Sequence, residues 1–272
     1  MPAKHLRDYV SVYYVVEFKE ESFEDIERAA LAQLRFSLHG GGIVHFARGK
    51  SYPMSGVSIV GPTSTAIRYV TNSPYRMFGM GLLPAGWGLL TDTPANTVRD
   101  SVVEADSIIK GVSAYMPQLQ AMSQSADMAK LADEVLTPLV AEAKPELLAF
   151  TSIIDTWLAS NTSPELDDLR GMTGLSTRQL ARKVNHFYGT PPKYLSRKYR
   201  ALRAARILAK NDEDDHDYLY DAFYDQSHMI RELKLFTGTT PAKLGSNFSL
   251  LAPLIDKRSK FANEISPLTS KT

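Results

Sequence analysis

The 272-residue chain has an ordinary globular composition, 44% apolar and 22% charged with a net charge of +1, which argues against a disordered or fibrous protein. It contains no cysteine, so disulfides, zinc–thiolate sites and thiol nucleophiles are excluded. The N-terminus lacks a signal-peptide layout and no apolar run approaches the ~20 residues of a membrane span, so a soluble, cytoplasmic protein with no membrane partner is expected.

The first hundred or so residues read mainly as strands. Tyr9 to Phe18 is rich in β-branched and aromatic residues, which suit a pleated surface. Further strands are expected at Ile43–Phe46, Val57–Val60, Ala66–Val70 and Met77–Leu82. Turn chemistry separates them at Gly40-Gly41-Gly42, where a hairpin is expected, at Gly61-Pro62-Thr63 and at Asn72-Ser73-Pro74. Short strands at this spacing predict an antiparallel barrel or sandwich. Around Trp87 the pattern becomes helical, and Ala95 to Ala121 reads as helix in pieces. The expected organisation is a β-rich domain over 1–122 and a linker over 123–145, where Pro138 and Pro145 act as breaks. A helical domain over 146–250 and a loosely held tail over 251–272 follow. The fold class is thus α+β, a β-rich domain followed by an all-α one.

The helical half holds two similar units. In the first, a helix capped by Ser163 starts at Pro164 and stops at Gly174. Ser176 then caps a second helix, Thr177 to Tyr188, which Gly189 and Pro191-Pro192 end. Helix, short turn with glycine, helix is the helix-turn-helix plan, whose second helix enters the major groove of DNA. Leu180, Val184 and Phe187 should face the core, leaving Arg178, Arg182 and Asn185 on another face. Two arginines one turn apart suit guanine edges or phosphates. In the second unit, Asp225 or Ser227 caps a helix with Ile230, Leu233 and Phe236 inward and Gln226, His228 and Arg231 outward. Gly238 and Pro241 end it. Between the units, Pro192 to Lys210 reads as one amphipathic helix with Leu195, Tyr199, Leu202 and Ala205 on its apolar side.

Charge is unevenly spread. Residues 170–210 hold eleven Lys and Arg and no Asp or Glu, whereas Asn211 to Asp225 carries seven acids. A basic window of that density is an electrostatic footprint for a polyanion.

These residues resemble the AraC/XylS family of transcription activators over roughly Glu146 to Leu244. The resemblance is carried by Asp225-Gln226-Ser227-His228, Arg231-Glu232-Leu233 and Phe236-Thr237-Gly238-Thr239-Thr240-Pro241. The first unit adds Gly174-Leu175-Ser176, Arg178-Gln179-Leu180, Arg182 and Gly189-Thr190-Pro191. The resemblance implies DNA-facing positions at Thr177, Arg178, Ala181 and Arg182, and at Gln226, Ser227, His228 and Arg231. It also implies double-stranded DNA and RNA polymerase as partners, a small-molecule effector and a homodimer. The N-terminal half is similar to the β-rich sensory domain of some members through Gly61-Pro62 and Gly81 to Gly86. Two departures stand out: Asp217 to Ala222 is acidic where the family has an apolar helix, and Arg170 replaces a small residue.

No cofactor, metal or catalytic constellation is expected. His39 and His45 lack a carboxylate at ligand spacing, and the acidic run Asp212 to Asp217 lacks the features of a calcium loop and reads as a solvated turn. Tyrosines and Trp87 are the candidates to line a pocket. Three readings stay open at this point: a ligand-responsive regulator, a small-molecule-binding or enzymatic barrel with an accessory helical domain, and an interaction module that keeps the fold without DNA contacts.

Overall fold

A computed structural model of the chain describes residues 1–19, 22–71, 74–210 and 216–244. Nine strands, β1 (Val10–Phe18), β2 (Phe23–Glu27), β3 (Gln33–His39), β4 (Gly42–His45), β5 (Ser51–Met54), β6 (Val57–Val60), β7 (Ile67–Thr71), β8 (Tyr75–Leu82) and β9 (Val102–Glu104), form two sheets. Their orders are β1-β8-β3-β6-β9 and β2-β7-β4-β5, and every pairing is antiparallel. The β-rich half followed by helices matches the expected class.

The larger sheet is covered on both faces, which explains its composition. Val12, Tyr14, Phe18, Tyr75 and Met77 face the smaller sheet. Tyr13, Leu34, Phe36, Ile59, Phe78 and Met80 face the other way, onto α1 (Pro84–Leu90), α2 (Met116–Ala121) and α3 (Ser125–Ala141). A strand buried on both faces shows a continuous apolar run rather than alternation, as β1 and β8 do. Gly40–Gly42 makes no hairpin: β3 and β4 lie in different sheets, and these residues carry the chain across. In that passage the position of a Cβ on Gly42 lies 2.2 Å from the Val70 carbonyl oxygen.

The segment 123–145 contains α3. Met128, Ala132 and Leu136 recur every four residues and are buried against the first core, one face of a helix. Pro138 lies inside α3 without ending it. The Asp133 carboxylate accepts hydrogen bonds from Tyr13 Oη at 2.8 Å and Ala3 N at 3.2 Å. Trp87 is 1% exposed and donates from its indole to Thr93 O at 2.7 Å. It is a buried member of the first core, where the sequence made it a candidate to line a pocket.

The helical half runs α4 (Pro145–Ser160), α5 (Leu166–Thr173), α6 (Thr177–Tyr188), α7 (Pro192–Lys210), α8 (His216–Ala222), α9 (Gln226–Thr237) and α10 (Pro241–Leu244). α5 begins later than Ser163-Pro164 suggests, with Glu165 at its N-cap. The Ser163 hydroxyl instead accepts from Arg200 at 2.9 Å. α7 is buried on more than one side. Leu195, Tyr199, Leu202 and Ala205 are covered as expected, and so are Lys198, Ala201, Ala204 and Ile207. The reason is that α7 packs between both units and the β half. The acidic run Asp212–Asp215, the turn at Asn72-Ser73 and the tail 251–272 lie outside the described residues.

The halves are hydrogen-bonded together along the β2–β3 and β6–β7 connections. Ala29 N donates to Phe236 O at 2.7 Å, Ala66 N to Leu235 O at 3.1 Å and Tyr194 Oη to Ser64 O at 2.8 Å. Lys198 Nζ donates to Ala30 O at 3.1 Å and Thr63 O at 3.2 Å. Gly61-Pro62-Thr63 is thus part of this junction as well as a turn. No helix among the described residues is long and apolar enough to cross a membrane.

Candidate nucleic-acid interface

The first unit is built from its caps inward. Ser176 and Gln179 form a reciprocal capping box, Gln179 N donating to Ser176 Oγ and Ser176 N to Gln179 Oε1, which satisfies two N-terminal donors of α6. Leu180, Val184 and Tyr188 are fully buried against Ile154, Trp157 and Leu169. The Tyr188 hydroxyl reaches Thr151 O at 3.2 Å and an Asp155 carboxylate oxygen at 3.3 Å; burial and Asp155 hold it well above the usual phenol range. One face of α6 is therefore immobilised.

The opposite face is open. Thr177, Arg178 and Arg182 are exposed and Ala181 is half-buried. Neither arginine makes an ion pair or hydrogen bond among the described residues. Asn185 does not join them as expected, because its side-chain amide donates to Ala181 O at 2.8 Å. Phe187 is half-buried, and Tyr188 takes the fully buried place.

The second unit repeats this construction. Asp225 caps α9 by accepting from His228 N at 2.6 Å. Leu233 and Phe236 are fully buried, and Ile230 is half-buried. Gln226, Ser227 and Arg231 are exposed. His228 is turned back instead. Its Nδ1 accepts weakly from Tyr224 N at 3.4 Å and its ring meets Phe223 edge-on at 5.7 Å, so it presents less to solvent than the resemblance implies. Tyr224, by contrast, is 94% exposed immediately before the cap. Residue type alone does not single it out; its place beside Gln226 and Ser227 does.

Both helices end on the β half. α6 and α9 are each twelve residues long and each closes on a left-handed glycine, Gly189 at φ 75° and Gly238 at φ 74°. A Cβ at Gly189 would lie 2.9 Å from the Pro62 ring, and one at Gly238 would lie 2.5 Å from Ile26 Cγ2. Only glycine meets both demands.

The basic window divides into two populations. Arg197 forms a two-point ion pair with Glu232 at 2.7 and 3.2 Å, Arg200 bonds Ser163, and Arg203 stacks over the Tyr218 ring at 4.1 Å. Lys198 is buried between the halves. Desolvation pushes its ammonium down to about 8, with Asp100 acting in the opposite sense. These cations serve the architecture. Arg178, Arg182, Lys193 and Arg231 remain exposed.

Inside the β sandwich lies a second polar assembly that residue pattern does not announce. Arg35 is paired with Glu27 at 2.5 Å, and Gln33 and Tyr14 complete the network. Asp25 accepts from the Tyr69 hydroxyl at 3.2 Å. Among the described residues, no group of three or more His, Cys, Asp or Glu is placed to hold a metal.

A family model described as a domain of unknown function, DUF6597, matches residues 1–104. No curated protein matches the chain. Among solved structures, an apo variant of ToxT from Vibrio cholerae is 11% identical, covering 88% of this chain and 97% of that one at a TM-score of 0.46. Wild-type ToxT from Vibrio cholerae bound to an unsaturated fatty acid is 9% identical, covering 86% and 94% at a TM-score of 0.47. ToxT bound to (E)-4-(8-methylnaphthalen-1-yl)but-3-enoic acid is 10% identical, covering 85% and 97% at a TM-score of 0.45. The family model covers the β half alone and its description names no activity. The functional reading therefore rests on this chain's own residues.

Proposed function

We propose that the chain is a sequence-specific, ligand-responsive transcriptional regulator of the AraC/XylS type, in which α6 and α9 read two successive major grooves of double-stranded DNA. The observation that carries this reading is the repeated construction of the two helices. Each has a side-chain N-cap, one buried face, an exposed polar face and a glycine C-cap set against the β half. A helix held on one face and bare on the other suits insertion into a groove.

In this reading Thr177, Arg178, Ala181 and Arg182 contact the first half-site, and Gln226, Ser227, His228 and Arg231 the second. Arg178 and Arg182 are the main readers, because a free guanidinium can bond bidentately to guanine. The β half senses a small molecule and pairs two copies of the chain. Cytoplasmic location, a role as activator and contact with RNA polymerase follow from the family resemblance.

The test is a titration of the full chain against duplex DNA at several salt concentrations. Each phosphate neutralised contributes a slope of about −0.9 to log K against log salt. A steep slope is expected for the full chain, with affinity for the specific site and base preference reduced in an Arg178→Ala/Arg182→Ala variant. Salt-insensitive binding, or unchanged affinity and base preference in that variant, contradicts the reading.

A further inference from the structure

The C-terminal end of α9 finds its hydrogen-bond partners in the β half. The last four carbonyls of a helix have no partner within it. Here Leu235 O accepts from Ala66 N at 3.1 Å and Phe236 O from Ala29 N at 2.7 Å. Ala29 follows β2 and Ala66 precedes β7, and the two strands pair as far as Glu27 and Ile67. α9 is therefore seated on the end of that ladder. The seat is itself bonded together: Ala30 N donates to Thr63 Oγ1 at 2.7 Å and Thr63 N to Ala30 O at 3.1 Å. Tyr194 and Lys198, one turn apart on α7, donate to Ser64 O and to Ala30 O and Thr63 O. Ala29 packs with Ala201 and Leu202 of α7 and Phe236 of α9. The two helices share one seat.

Two adjacent residues, Arg99 and Asp100, join α6 to that seat. The Asp100 carboxylate accepts from Ser64 N and Ser64 Oγ, each at 2.6 Å. Arg99 Nη1 donates at 3.2 Å to the carbonyl of Gly189, the C-cap of α6. Among the described residues, Asp100 is the one non-glycine residue with left-handed backbone, at φ 53°. That backbone is costly for a residue with a Cβ and persists where its surroundings fix it. Ser64 does so here, together with Pro62 O, which accepts from Asp100 N at 3.2 Å.

We propose that residues 29–30, 63–66 and 99–100 of the β half form a brace that fixes α6 relative to α9, with Arg99, Asp100, Tyr194 and Lys198 as positioning residues. The inference deepens the proposed function and rests on it for the DNA: the brace, together with α7, sets the spacing between the two grooves that one chain reads. α7 alone leaves a freedom that the brace removes. The Arg197–Glu232 pair pins α9 to α7 near one point, about which α9 can pivot. The bonds at Leu235 and Phe236 pin its end. Arg99 does the same for the end of α6. Both recognition helices are thus held at their C-terminal ends, and Thr177, Arg178, Gln226 and Ser227 at their N-terminal ends stay exposed.

The experiment measures the distance between the two helices in the full chain without DNA. Because the chain has no cysteine, nitroxide labels on Thr177→Cys and Ser227→Cys, both exposed positions, are unique, and pulsed dipolar spectroscopy reads their separation. One narrow distribution is expected when the brace is intact. Arg99→Met/Tyr194→Phe removes two of its bonds without touching the DNA-facing positions. Each bond lost should raise the displaced population about fivefold, so the distribution should broaden, and broaden further when Lys198→Met is added. Labels on Ser152→Cys and Thr177→Cys, both in the first unit, are the control and should keep their distribution in every variant. The proposal is overturned if the α6–α9 distribution keeps its original width in the double and the triple variant, or if the control pair broadens as much. The double variant answers the question even if the triple one fails to fold. Since no DNA is present, the brace and the DNA reading fail separately: a chain that binds no duplex can still show the narrow distribution and its loss.

Discussion

The Arg197 guanidinium of α7 grips the buried Glu232 carboxylate of α9 through two hydrogen bonds, 2.7 and 3.2 Å long. This pair sets the second unit against the helix that it shares with the first. The side chain of Glu232 is 6% exposed and that of Arg197 38%, so removing the arginine strands a carboxylate in the interior, with Arg200 4.0 Å away as the nearest remaining cation. Arg197→Met should destabilise the helical half by about 2 kcal/mol. That is less than the ~3–5 kcal/mol of a fully buried pair, because Arg197 is partly solvated. Urea denaturation followed by circular dichroism measures it, and an unchanged midpoint would show that Arg200 alone suffices.

Three glycines provide an internal comparison. Gly174, Gly189 and Gly238 all sit at positive φ, but only the latter two have neighbours where a Cβ would go. Gly174→Ala should therefore cost about 1–2 kcal/mol, the left-handed penalty alone. Gly189→Ala and Gly238→Ala should cost more, since Pro62 and Ile26 must also move. Equal losses at all three positions would mean that the junction between the halves is looser than described.

Lys198 gives the junction a pH dependence with a definite sign. Its buried ammonium titrates at about 8 against an ordinary value of 10.5, so between these values the unfolded chain holds the proton that the folded chain has released. Stability contributed by this group then rises with pH, by about 1.4 kcal/mol per unit. Tyr69 and Tyr75 titrate above the usual phenol range and act oppositely at higher pH. The difference between wild type and Lys198→Met isolates the lysine. That difference should shift in favour of the wild type from pH 8 to 10; a flat difference contradicts the assignment.

Arg182→Ala should lower specific DNA affinity by about 1–3 kcal/mol if its guanidinium reads a base edge. His228→Ala should have a smaller effect on base preference, because its ring is occupied with Tyr224 and Phe223. Tyr224→Ala should affect affinity at the same half-site. Competition binding with single-base variants of the site separates these, and a larger effect of His228→Ala than of Arg182→Ala would reverse the ranking.

The helical elements were legible because their ends are written in residue types. Ser176 and Gly189 mark α6 to the residue and Gly238 marks the end of α9, whose start the sequence left between Asp225 and Ser227. β1, β4, β6, β7 and β8 were legible from their apolar and aromatic content. β2 and β3 were not, since Asp25, Glu27, Gln33 and Arg35 are residue types that favour surfaces, and here they pair only across strands that sequence cannot place together. The same long-range pairing hid the buried Arg35–Glu27 network. The basic window was visible, but its division was not. Whether an arginine meets a carboxylate, an aromatic ring or solvent depends on what α7 packs against, and Glu232 lies thirty-five residues from Arg197.

Two helices built alike are expected to read DNA together. The most direct measurement is selection of bound duplexes from a randomised pool at near-physiological salt, repeated with Arg178→Ala/Arg182→Ala and with Arg231→Ala. The account predicts two short enriched motifs about one helical turn, ~34 Å, apart, with each variant losing only its own motif. Absence of any enriched motif, or loss of both motifs together in either folded variant, would contradict it.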